Sequence, residues 1–377
     1  MQCAFRIPYA FCLVILCVIL LCACTETVCP VPPENTAVPS SEDTAPGTVA
    51  VPGETTGLEE SMPQQTSCPE KEQPVPAEED YQTITLSFLG DCMLAGYMGY
   101  DSPGTFNYFA KDQDPSYFFA RIAEVIACDD YTIGNLENVF TDQPLLPVSK
   151  DHSPAYWYKS PSSFAQILKA GSVEIVSIAN NHSGDYGAQG YADTKAALEA
   201  AGIVWGDSSH AVTLELHGVR IAILCTTIST GGYCDMARAW IREAVEESDY
   251  QIIYFHGGVN FSRTPNAAIV RACHDLADAG ADLIVGHHPH LLQPVEQYGD
   301  VLIMPSIGSC VFGHGTMENA GVILQLQLTV KEGQIVNSVS SLIPIYIYQE
   351  PWQPAVMDAD AGQKVLDFLN GTRSLPY

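Results

Sequence analysis

The stretch Asp282-Leu283-Ile284-Val285-Gly286-His287-His288-Pro289-His290 decides how the rest of the chain is read. An apolar, β-favouring run meets a glycine, and polarity then switches within one step to imidazoles. That is the profile of a short buried strand ending where a site begins. His288 and His290, two residues apart, make it the sharpest local signal. Working outward, the profile recurs four times: residues 84–89 end in Gly90-Asp91, 131–133 in Gly134-Asn135-Leu136-Glu137, 173–179 in Asn180-Asn181-His182, and 251–255 in His256-Gly257-Gly258. Residues 219–225 and 301–304 are further strand candidates. Helical patterns at 116–127, 162–170, 189–201, 236–246 and 266–279 fall in the gaps, and this alternation is that of a layered α/β domain. Residues 321–330 and 335–345 read as a β-hairpin across Lys331-Glu332-Gly333-Gln334, which makes the sheet mixed. Residues 346–377 form a C-terminal extension with a helix near 363–369.

In open α/β sheets ligands bind at the carboxyl ends of the strands. Five clusters of carboxylate, amide and imidazole there fit a metal centre better than a nucleophile triad, because no Gly-x-Ser-x-Gly elbow accompanies them. The mixed oxygen and nitrogen donors suit manganese, zinc or iron. Two such ions about 3.5–4 Å apart would engage most of the donors, one ion fewer. Three of the clusters alone have an ordinary explanation, whereas Asn180-Asn181-His182, three polar residues ending an apolar run, have little structural purpose. Gly90-Asp91 can be a turn, Asn135-Leu136-Glu137 a helix-capping turn, and His256 a satisfied strand-end histidine. Their conjunction is what is specific.

The chain has 377 residues, 47% hydrophobic and 16% charged, ample for a packed core. Sixteen Lys and Arg against 44 Asp and Glu leave a formal charge of -28, which opposes counterion release and excludes nucleic acid as a partner. At the N-terminus the apolar run 11–21 follows the single charge of Arg6. It has the length of a signal-peptide core and is short for a membrane span. Leu21-Cys22-Ala23-Cys24 resembles a bacterial lipobox, so residues 1–23 are expected to be a signal peptide and Cys24 the lipidated anchor on the outer face of the cell membrane. An ordinary signal peptide with a chance cysteine is the alternative. Residues 24–82 hold ten of the 25 prolines and twelve acidic residues against Lys71 alone. That composition predicts an extended, self-repelling tether before a domain at 83–345. Of thirteen cysteines, Cys92, Cys128, Cys225, Cys234, Cys273 and Cys310 lie in the globular part without a CxxC pair, and read as buried small hydrophobes. A Cys225–Cys234 bridge is left open by spacing.

At these residues the sequence resembles the CapA family of capsule (poly-γ-glutamate) synthesis proteins, whose domain is related to the calcineurin-like metallophosphatases. The resemblance runs from about Thr85 to Gly313. It is carried by Leu89-Gly90-Asp91, Gly134-Asn135-Leu136-Glu137, residues 177–182 with Asp185-Tyr186-Gly187, Ser262-Arg263-Thr264-Pro265, residues 286–290 with Leu292-Gln293-Pro294, and Ser306-Ile307-Gly308-Ser309. The resemblance implies an α-β-β-α sandwich with mixed sheets. It implies that Asp91 ligates one ion, that Glu137 bridges two, that Asn181, His256 and His288 serve the second, and that His290 returns to the first. It makes His182 a general acid oriented by Asp185, and Asn135, Asn180 and Arg263 substrate contacts. A surface salt bridge is the other role open to Arg263. Two positions depart from the pattern: Met93 stands where the phosphatases place a histidine ligand, and Asn260 where CapA-like chains usually carry Glu. The function implied is capsule or exopolymer synthesis, either as a metal-dependent hydrolase of a phosphoester or polymer linkage, or as a non-catalytic accessory that grips a nascent anionic polymer. The partners implied are that polymer or phosphoester, the membrane, and the membrane proteins of capsule synthesis.

Overall fold

The computed structural model describes residues 80–374 apart from 152, 233 and 314–318. The expected signal peptide, the Cys24 lipidation site and all but the end of the tether lie outside the described residues. Within them the expected alternation is present as a mixed α/β domain with seven α-helices. No described helix is long and apolar enough to cross a membrane.

Two large sheets carry the domain. In the first, the neighbours run Gln353–Val356, Gln334–Glu350, Ala320–Lys331, Tyr81–Met93, Tyr131–Leu136, Ile175–Ser177 and Val204–Gly206, with Ser309–Phe312 pairing onto the end of Tyr81–Met93. In the second they run Glu296–Tyr298, Val301–Met304, Leu283–His287, Tyr250–Gly257, Val219–Ile228 and Val212–Leu216. Both are mixed: the first is antiparallel from Gln353–Val356 to Tyr81–Met93 and parallel from there to Val204–Gly206, and the second is parallel in the middle with an antiparallel strand at each edge.

Period-2 alternation sorts the side chains into layers. Ile84, Leu86, Phe88 and Ile133 of the first sheet share one core with Ile252, Tyr254, Leu283 and Val285 of the second. The opposite faces pack on helices. Leu89, Leu136 and Val176 join Leu168 and Leu198 of the helices Ala165–Ala170 and Gly187–Ala201. Ile253, Phe255 and Ile284 join Ile241, Ile269 and Leu276 of Asp235–Ala244 and Ala267–Ala277. The order is helix, sheet, sheet, helix.

Three details depart from the sequence reading. Residues 116–127 are not one helix but a 3-10 turn, Pro115–Phe119, which buries Phe118 and Phe119, and a short α-helix, Ala123–Ile126. The segment beyond 345 is part of the domain, since Gln353–Val356 extends the first sheet and Val365, Phe368 and Leu369 of the helix Ala359–Leu369 enter the inter-sheet core. Of the six cysteines read as buried, Cys128 is exposed, and Cys225 and Cys234 are both free and lie in different cores.

Candidate metal centre

The face that packs one sheet on the other turns polar at its carboxyl end. In Tyr250–Gly257 the inward positions Ile252 and Tyr254 are followed by His256, in Leu283–His287 the inward Leu283 and Val285 by His287, and in Tyr131–Leu136 the inward Ile133 by Asn135. His256 and His287 are direct parallel partners, as are Asp91 and Asn135. Asp91 needs a correction to reach this face. Simple alternation from Ile84, Leu86 and Phe88 would turn it toward the helices. The register between Tyr81–Met93 and Tyr131–Leu136 slips between Phe88 and Asp91 by one residue, a β-bulge that swings the carboxylate between the sheets. Gly90 makes the bulge possible: a Cβ there would lie 2.1 Å from the carbonyl oxygen of Gly308.

Asp91, Glu137 and His287 are fully buried, and His256 and His290 nearly so. Asp91 Oδ1 accepts from Asn135 Nδ2 at 2.9 Å and lies 3.1 Å from His287 Nδ1. Its Oδ2 accepts from the backbone N–H of His288 at 3.2 Å and stands 2.9 Å from His290 Nδ1. Burial pushes this carboxyl up, but hydrogen bonds from His287 and His290 outweigh it and hold it well below the usual range. Glu137 is the opposite case. Burial and then the charge of Asp91 drive its carboxyl well above the usual value, and both its oxygens are buried without a hydrogen-bond partner. His256 Nε2 and His290 Nε2 stop 3.7 and 3.9 Å from Glu137 Oε1.

Burial, then neighbouring imidazoles, lower His256 well below the ordinary histidine range and bring His288 to about 4. Both rings are therefore neutral at physiological pH, the form in which imidazole binds a cation. Three overlapping sets, Asp91/His256/His287, Glu137/His256/His288 and Asp91/Glu137/His290, bring ligand atoms within 4.8 Å of one another. Buried unpartnered carboxylate oxygens, neutral imidazoles and donors converging from several strands form a group that can hold a metal. His288 and His290 take positive φ angles, 107° and 57°, which folds both rings back toward the cluster instead of along the strand.

The other expected residues surround this core. Asn181 is exposed, and its Oδ1 accepts from His256 Nε2 at 2.7 Å. Asn180 Nδ2 donates to Asn135 Oδ1 and to the carbonyl of Leu136 at 3.1 and 2.8 Å, and its Oδ1 accepts from the N–H of His182, so the two asparagines brace one another and the loop that presents His182. His182 Nδ1 is 2.8 Å from Asp185 Oδ2. Burial lowers His182 below the ordinary histidine value, and Asp185 offsets part of that. Arg263 is half-buried in the loop after Gly257, a loop fastened to the histidine turn by Phe261 N–H to Pro289 O at 2.9 Å and Gln293 Nε2 to Ser262 O at 2.8 Å. Asn260 is exposed. Met93 is buried in an apolar cluster with Ala95, Tyr158 and Phe312.

Four residues escaped the sequence reading. His287 was legible, since extending the alternation of Leu283 and Val285 by one step points to it. Lys150, whose Nζ is 2.6 Å from the buried Asp185 Oδ1, sits in an irregular loop where no periodicity marks it. Tyr158 donates its backbone N–H to Asp185 Oδ2 at 2.8 Å and sets its ring edge-on to His182 at 4.8 Å. Ser309 pairs beside Asp91, with its Oγ 3.5 Å from His290 Nδ1.

Comparison with known proteins shows the family. The family described as bacterial capsule synthesis protein PGA_cap matches residues 85–314. The PGA biosynthesis protein CapA of Bacillus subtilis (strain 168) is 28% identical over 254 residues, covering 62% of this chain and 64% of that protein. The chain thus spans a little under two thirds of that relative. The capsule biosynthesis protein CapA of Bacillus anthracis is 27% identical over 308 residues, covering 74% and 71%. A probable polyglutamine synthesis accessory protein of Mycobacterium tuberculosis is 25% identical over 217 residues, covering 47% and 57%.

Proposed function

The chain belongs to the bacterial capsule synthesis family PGA_cap, and from that premise we propose that it acts in capsule or poly-γ-glutamate-type exopolymer synthesis as a metal-dependent hydrolase with a metallophosphatase-like sandwich. It is held outside the cell membrane by lipid on Cys24, and its substrate is a phosphoester or polymer linkage. The observation that carries the catalytic part is Glu137: a fully buried carboxylate with two unpartnered oxygens beside His256 and His290 is costly unless a cation completes it.

Asp91, Glu137, Asn181, His256, His287, His288 and His290 would hold one or two divalent ions of manganese, zinc or iron. When bound, such an ion supplies Lewis-acid polarisation of the scissile group. The chain's own residues supply the proton chemistry. Asp185 fixes His182 through Nδ1, which leaves Nε2 to deliver a proton to a leaving oxygen. Lys150 and the Tyr158 N–H hold the Asp185 carboxylate in place. Neutral His256 and His288 stay available as donors, and Asn135 and Asn180 keep the His182 loop in register with Asp91.

A second reading, a non-catalytic accessory gripping an anionic polymer, is favoured by Met93, which places a buried apolar side chain where the phosphatase pattern has a ligand. His182 separates the two readings. Elemental analysis of the purified protein, then a phosphoester screen with and without manganese, should show metal-dependent turnover that His182→Ala lowers about 100-fold with metal content retained. Unchanged turnover in that variant removes the general acid, and absence of metal-dependent turnover by the parent selects the accessory reading.

A further inference from the structure

An apolar wedge stands behind His182 and His290. Met93, Ala95, Tyr158 and Phe312 are buried together with Tyr97 packed on them; Tyr158 meets the ring of His182 at 4.8 Å, and Phe312 that of His290 at 4.6 Å. Tyr97 also lines a cleft of about 390 Å³, within the usual size of small-ligand sites, with Tyr348, Trp352, Thr105, Pro351 and Gly104. At Gly104 the space is open, with nothing within 4 Å of where a Cβ would sit. Aromatic surface continues outward from Tyr97 to Tyr100 and Tyr156, whose rings lie 5.7 and 5.9 Å from it and which are 52% and 41% exposed.

Among the described residues no charged side chain lines this cleft. An anionic chain calls for cationic donors, and a different cleft offers them, lined by Lys111 and Lys159 together with Asp101 and Asp142, where Lys111 is already paired to Asp101 at 2.7 Å. Three aromatic rings lining a cleft beside glycines suit a ligand with apolar C–H faces and a hydroxyl rim. That is the chemistry of a sugar ring.

We propose that the Tyr97–Tyr348–Trp352 cleft is a subsite for a neutral pyranose unit of the substrate, carried beside the metal centre. It rests on the hydrolase reading for what is cleaved and deepens it by naming a glycan-bearing substrate. The test is calorimetric titration of the full chain, stripped of metal, with chitohexaose and separately with poly-γ-glutamate. Chitohexaose should bind, and binding should weaken at least tenfold, about 1.4 kcal/mol, in Tyr97→Ala. Tyr97→Leu keeps an apolar side chain packed on Tyr158 but has no aromatic face, so the same loss in that variant, with its melting temperature retained, assigns the effect to stacking. No heat with chitohexaose, or binding indifferent to both variants, overturns the proposal. So does binding of poly-γ-glutamate alone, abolished by Lys159→Ala, which assigns substrate to the other cleft. Sugar binding that persists where no metal-dependent turnover exists upholds the subsite while the hydrolase reading fails, so the two failures are distinguishable.

Discussion

The two sheets contribute unlike halves to one centre. The first supplies oxygen and amide: Asp91 at a bulge, Asn135 at a strand end and Glu137 just beyond it. The second supplies nitrogen: His256 and His287 at neighbouring strand ends, and His288 and His290 on the turn that follows. Neither half is a metal site alone. A carboxylate pair without imidazoles repels itself, as the raised Glu137 shows, and an imidazole cluster without carboxylates loses its anionic partners. The centre is thus a property of the sheet-to-sheet interface, and Tyr254 of the second sheet stitches that interface by donating its hydroxyl to the carbonyl of Leu89 in the first.

Each half can be broken separately. Asp91→Ala removes the carboxylate that touches His287 and His290 and the His288 N–H at once, and should lower metal affinity by about 100-fold or more, since loss of outer partners alone costs about 10–100-fold; full occupancy by elemental analysis would refute the oxygen half. His287→Ala should cost at least about tenfold on the same scale, and no change would return His287 to a merely structural role. Glu137→Gln sharpens the contrast through pH. A carboxyl whose folded value is raised above its ordinary 4.5 contributes most below that value and loses the contribution as pH rises toward the folded one. In metal-free protein the stability of Glu137→Gln relative to the parent should therefore grow from pH 4.5 upward, read by denaturant midpoints, and a pH-independent gap would contradict a buried unpaired carboxylate. Asp91, held low, has the opposite sign: its contribution is lost only as pH falls below 3.8. Tyr254→Phe, which unpairs one buried carbonyl between the halves, should cost about 1 kcal/mol of stability with metal affinity changed less than in either ligand variant.

Much of this was legible residue by residue. Period-2 alternation through 252, 254 and 256 aims His256 correctly, and the same arithmetic applied to 283, 285 and 287 finds His287. The arithmetic fails at Asp91, because a bulge is set by the close approach of Gly90 to Gly308, more than two hundred positions away. It fails equally at Lys150, whose importance rests on one 2.6 Å ion pair to Asp185 across an irregular loop.

By itself the sequence determined the alternating α/β pattern, the acidic balance and the polar terminus of each strand, since these depend on side-chain type and on periods of two or a few residues. Only the tertiary structure decided that the termini belong to two sheets, that oxygen donors face nitrogen donors, and that Glu137 is sealed from water without a partner. Those facts depend on register, bulges and packing between segments distant in the chain, and no local period encodes them.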